Sequence, residues 1–204
     1  AVQTAAEKAP LVRAELKEGR MSAPLLLIMV GAQGAGKSTF CDALVSASRA
    51  AGTAAWRVVC QDTCGKNDTR GGREAAERMA SSALAAGRAV VIDRMHLDEQ
   101  QRRYFVKLAR NVPAHAVVLQ IDGTVCAERV RNRKGHYVNG EQGARMAMQS
   151  AKKLMRGLPG YDEGFELISI AKSEADTARL VSTYARLHDS ASEAASRKRP
   201  RDDE

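Results

Sequence analysis

Residues 25–39 read LLLIMVGAQGAGKST. Six apolar residues, Leu25 to Val30, lead into Gly-x-x-x-x-Gly-Lys-Ser, the spacing of a phosphate-binding loop set between a buried strand and a helix. Phosphates need donors close by and no side chains in the way. Gly31, Gly34 and Gly36 let backbone amides turn inward around an oxyanion. The helix that follows aims its N-terminal amides and partial positive charge at the same point. Lys37 is placed to reach the terminal phosphates, and the Ser38 hydroxyl suits Mg²⁺. Gly31, Gly34, Ala35, Gly36, Lys37, Ser38 and Thr39 are therefore the expected nucleotide-binding set.

Outward from this loop, apolar runs alternate with helical patterns. Leu25–Val30, Ala54–Cys60, Ala89–Ile92, Ala114–Ile121 and Phe165–Ile170 read as strands. Lys37–Ala51, Gly71–Ala86, Asp98–Arg110, Cys126–Arg133, Gln142–Arg156 and Glu174–His188 read as helices, with Asp98 and Ser173 as N-caps. Such alternation predicts an α/β fold: one P-loop domain with a mostly parallel five-stranded sheet and helices on both faces. Residues 21–190 form this domain. Residues 1–20 read as a poorly ordered N-terminal extension and 191–204 as a charged flexible tail. Within that tail Arg197–Arg201 reads RKRPR, a nuclear-localisation patch or a solvated cluster.

Ligands of such sheets lie beyond the carboxyl ends of the strands, so the residue after each strand is the place to look. Asp62 follows the second strand, where a carboxylate can accept the proton of an attacking hydroxyl or simply cap a turn. Asp93 ends the third strand beside the expected Mg²⁺ position, so Ser38 and Asp93 form the expected metal pair. After the fourth strand, Arg129 and Arg133 stand four apart on a basic helix, suited to a lid that neutralises a transferring phosphoryl group.

Length and composition bound the rest. The chain has 204 residues, 44% hydrophobic and 27% charged, as in an ordinary globular domain. No apolar run reaches the length of a membrane span, and no signal-peptide pattern opens the chain, so a soluble nuclear or cytoplasmic protein is expected. Cys41, Cys60, Cys64 and Cys126 are scattered without zinc spacing, as are the four histidines. The net charge is +8, and residues 101–160 alone hold twelve Lys or Arg against three acids. The excess belongs to the folded body and implies polyanionic partners.

Five stretches together resemble the kinase domain of the polynucleotide kinase–phosphatase family: GAQGAGKSTF, QDTCG, VVIDRMHLDEQQR, ERVRNRKGH and DEGFELI. They are closer still to the P-loop domain of plant aprataxin-like proteins, and the similarity covers residues 25–170. The resemblance implies an ATP- and Mg²⁺-dependent kinase acting on nucleic acid 5′ ends in repair or processing. Asp62 would be the general base, Lys37 and Ser38 would position the phosphates, and Arg129 and Arg133 would stabilise the transferred group. Arg102 matches an arginine of the family and, with Asp62 and Arg94, falls on the substrate side. Two positions depart from the pattern: Gln61 stands where Arg often precedes the Asp, and Arg94-Met95-His96 replaces Asn-Thr-Asn. A kinase for a small metabolite or nucleotide, and a nucleic-acid-binding module without phosphoryl transfer, are the alternatives.

Overall fold

The computed structural model describes residues 4–65, 70–135 and 138–188. The elements run α1 (Ala5–Lys17), β1 (Leu26–Gly31), α2 (Lys37–Ala51), β2 (Trp56–Cys60), α3 (Arg73–Ala85), β3 (Ala89–Asp93), α4 (Glu99–Val106), β4 (Ala114–Leu119), α5 (Gly123–Arg131), α6 (Gly140–Arg156), a 3-10 turn (Tyr161–Glu163), β5 (Leu167–Ala171) and α7 (Glu174–Tyr184). All strand pairings are parallel, in the order β2-β3-β1-β4-β5. β1 is thus central, and its carboxyl end opens between the ends of β3 and β4.

Burial explains why β1 is apolar without alternation. Leu27 and Met29 join the core on one face with Phe40 and Leu44 of α2 and Tyr184 of α7. Leu26, Ile28 and Val30 join the other, with Ala76 and Ala80 of α3 and Phe105 of α4. A strand covered on both sides has no solvent face to mark with polar residues.

Element ends shift where tertiary contacts decide them. α4 stops at Val106 rather than Arg110. Arg133 lies beyond the end of α5, so it does not share a helical face with Arg129. α7 ends at Tyr184 because the following residues pair back: Leu187 O accepts from Ala54 N, and His188 N donates to Met21 O.

Residues 4–20 correct the expectation most. They carry a helix whose Thr4 and Glu7 form a capping box, and Ala9 and Leu16 are buried in the core. Residues 191–204, with the Arg197–Arg201 cluster, lie outside the described residues, as does His136 of the lid motif.

Candidate functional site

The phosphate loop leaves β1 and enters α2 through Gly36, whose φ is 97° and which offers no side-chain cap. The first amides of α2 are left to an anion. Gly34 has a φ of 80°, and a Cβ there would stand 2.3 Å from the Cys126 carbonyl oxygen. The loop therefore rests on the backbone of α5. Its other flank is tied to α6, where the Ser150 hydroxyl donates to Gln33 Oε1 at 2.6 Å.

Lys37 is buried, and its ammonium donates to Ala32 O at 2.8 Å and Gly31 O at 3.1 Å. Burial pushes its pKa down to about 8, partly countered by the Asp93 carboxylate. This ammonium has exchanged water for two carbonyls, and triphosphate oxygens would supply the charge it lacks. Next to it, Ser38 Oγ donates to Asp93 Oδ2 at 2.7 Å. That hydroxyl and carboxylate fit Mg²⁺, which takes few protein ligands and fills its shell with phosphate and water. Among the described residues there is no group of three or more His, Cys, Asp or Glu that could hold a metal ion.

A cleft of about 240 Å³ opens above this pair, lined among others by Lys37, Ser38, Asp62, Asp93, Arg94 and Arg133. Asp62, exposed after β2, faces Arg70 Nε at 3.7 Å. A second, wider hollow of about 730 Å³ lies on the far side of the loop, between α2 and α7, lined by Phe40, Ala43, Ile121, Arg129, Thr177 and Val181. Gly34, Gly36, Thr39 and Arg133 border both. A triphosphate on the loop thus has a polar cleft at one end and a more apolar hollow at the other.

The expected residues separate on this geometry. Lys37, Ser38, Asp62, Asp93, Arg94 and Arg133 converge on the cleft. Arg129 does not. It lines the second hollow, donating to Gly34 O at 3.4 Å and pairing with Glu174 at 2.5 Å. Arg102 is a correction: it is 1% exposed and bound within the protein, so it does not meet a substrate. Its guanidinium takes the Glu163 carboxylate in two bonds of 2.6 Å and donates to Gly157 O at 2.9 Å and His96 O at 3.1 Å.

Arg70 and His96 also line the cleft, outside the expected set. Arg70 stands just before the glycine pair that opens α3, a position that could have flagged it. His96 has a φ of 48°, and its Nδ1 donates to Met29 O at 2.8 Å. Burial drives its pKa down to about 3, so it is a neutral imidazole with the proton on Nδ1.

Over residues 26–158 the sequence matches the family described as AAA domain. The chain belongs to that family. The chain has an α/β P-loop fold with five parallel strands. It is 35% identical over 164 residues to Transcription factor bHLH140 of Arabidopsis thaliana, spanning 80% of this chain but only 17% of the relative's length. A solved kinase candidate from Chloroflexus aurantiacus has the same fold, with a TM-score of 0.52 at 18% identity, over 79% of this chain and 93% of that one. A gluconokinase structure from Sinorhizobium meliloti aligns over 87% of this chain and 99% of its own, at 18% identity and a TM-score of 0.49.

Proposed function

We propose that this AAA domain is a phosphotransferase that moves the γ-phosphoryl group of ATP to the 5′-hydroxyl end of a nucleic acid. The observation that carries the reading is the placement of Asp62 in the same cleft as Lys37 and the Ser38–Asp93 pair. One wall grips a triphosphate, and the other presents a carboxylate to an incoming oxygen.

The chemistry follows from that arrangement. The acceptor oxygen attacks the γ-phosphorus, a new O–P bond forms, and the bond to the β,γ-bridging oxygen breaks, so ADP leaves. Asp62 takes the proton of the attacking hydroxyl. Lys37 and Arg133 hold the phosphate oxygens as charge moves towards the leaving group. Mg²⁺, held through Ser38 and Asp93, would supply charge neutralisation on the phosphates. The adenosine of ATP fits the hollow between α2 and α7, and Arg129 sits at its edge. The nucleic-acid acceptor draws support from the Lys and Arg of residues 101–160 other than the buried Arg102, and from the DTCG and EGF elements. Few aromatics make any grip on nucleic acid mainly electrostatic.

The test is transfer of labelled γ-phosphate to 5′-hydroxyl DNA, 5′-hydroxyl RNA, 5′-phosphate RNA and free nucleosides. Label on the 5′-hydroxyl oligonucleotides is expected. ATP binding without transfer to any of them overturns the reading. A small-molecule acceptor is the second reading, favoured by the modest cleft of about 240 Å³, and it predicts label on the free compounds alone.

A further inference from the structure

Of the four residues between Gly31 and Gly36, Gln33 alone carries a polar side chain. A phosphate-binding loop works through its backbone amides, so this side chain adds something that the loop pattern does not require. A Gln amide has one oxygen that accepts and one nitrogen with two N–H donors.

Gln33 is held on every side. Before it, Ala32 O accepts from the Lys37 ammonium at 2.8 Å and from Ala35 N at 3.2 Å. After it, Gly34 rests against the Cys126 carbonyl, and its own carbonyl takes Arg129 Nη1 at 3.4 Å. The side chain is half-buried, and its Oε1 accepts from the Ser150 hydroxyl of α6 at 2.6 Å. That bond fixes the sense of the amide: oxygen towards α6, nitrogen at the other corner. Among the described residues, no group accepts a hydrogen bond from Nε2.

The two cavities say what Gln33 can meet. Gly34, Gly36, Thr39 and Arg133 border both of them, but Gln33 borders only the polar cleft that holds Lys37, Ser38, Asp62 and Asp93. A triphosphate running from the hollow between α2 and α7 into that cleft brings its last phosphate to Gln33. A neutral amide suits this place. It gives a fixed donor to a phosphoryl oxygen without adding a third buried cation beside Lys37 and Arg133.

We propose that the side-chain amide of Gln33 donates to an oxygen of the γ-phosphoryl group, and that Ser150 is the positioning residue that turns it there. The proposal rests on the nucleotide placement of the phosphotransferase reading above and adds a contact made with ATP but not with ADP. An interaction confined to the transferred group favours substrate over product.

The test uses the full chain as wild type, Gln33→Glu, Gln33→Leu and Ser150→Ala. Calorimetric titrations with Mg²⁺ compare ADP and an ATP analogue with an unreactive β,γ-imido bridge. Gln33→Glu is the sharpest variant, since it keeps the oxygen that Ser150 uses and replaces the donor with an anion. Gln33→Glu and Gln33→Leu should weaken the analogue by about tenfold or more while ADP affinity stays within about twofold, as expected for the loss of a hydrogen bond to a charged group. In transfer assays both should lower kcat by about ten- to a hundredfold. Ser150→Ala should move the same quantities by a smaller factor. The inference is overturned if Gln33→Glu and Gln33→Leu bind the analogue as wild type does. Equal weakening of ADP also overturns it, because Gln33 would then only tie the loop to α6. Ser150→Ala indistinguishable from wild type removes the role of Ser150. If wild type transfers phosphate to no acceptor, the phosphotransferase reading falls, and the two titrations still decide the contact of Gln33.

Discussion

The Arg102 guanidinium lies fork to fork on the Glu163 carboxylate, Nε to Oε2 and Nη2 to Oε1, both at 2.6 Å, with the two side chains 1% and 7% exposed. The pair joins α4 to the 3-10 turn, and through His96 O and Gly157 O it also joins the strap after β3 to the end of α6. Arg102→Met strands a buried carboxylate and should cost about 3–5 kcal/mol of stability. The Arg102→Met, Glu163→Leu double variant should lose less than that single change. Urea unfolding midpoints decide it, and a single-variant loss under about 1 kcal/mol would show the pair to be solvated.

Lys37 links binding to protons. Its pKa of about 8 lies below the ordinary 10.5 because burial disfavours the ammonium. Between these two values the unfolded chain binds a proton that the folded protein does not. Its contribution therefore makes the nucleotide-free protein more stable as pH rises from about 8 to 10.5. Triphosphate oxygens favour the ammonium, so ATP binding near pH 8 should take up a fraction of a proton. Calorimetry in buffers of different ionisation enthalpy measures this, and Lys37→Met should abolish the uptake and weaken ATP binding.

Asp62 and Ser38 should fail in different ways. Asp62→Asn is expected to lower kcat by about two orders of magnitude with little change in ATP affinity. Ser38→Ala should instead raise the Mg²⁺ concentration needed for half-maximal rate. Matching Mg²⁺ profiles for wild type and Ser38→Ala would place the ion elsewhere.

Gly34→Ala should be damaging without touching any charge. Its Cβ would meet the Cys126 carbonyl at 2.3 Å in a left-handed conformation, so loop and α5 must separate. A loss of thermal stability together with weaker ATP binding is expected; unchanged melting would show that α5 gives way.

His96 and His115 should set the acid limit of the fold. Both are buried with pKa values of about 3, against 6.5 unfolded. Below pH 6.5 the unfolded chain takes up protons that these imidazoles do not, so stability falls as pH drops from 6.5 towards 3. Urea midpoints at successive pH values should show this slope, shallower in His115→Leu.

Much of the site was legible along the chain, because its signals are local. The glycine spacing, the serine after the lysine, and the aspartates ending or following strands need only a few neighbouring residues to be read. The Thr4-x-x-Glu7 capping box is equally local, but without a strong apolar stripe its helix does not stand out in the sequence. Arg129, Arg133 and Arg102 were a different matter. Spacing shows that Arg129 and Arg133 stand four apart, but the helix ends at Arg131, and Glu174 draws Arg129 to the far side of the phosphate loop.

By itself, the order of residues determined a parallel α/β sheet with a triphosphate cradle at the end of its first strand, since period and glycine placement act within one strand, loop or helix. Only tertiary structure decided which arginines face the cleft and which are walled in. A guanidinium reads alike in any sequence. Its exposure and its partner are set by groups as distant as Glu163 from Arg102 or Glu174 from Arg129, brought close only when the helices pack.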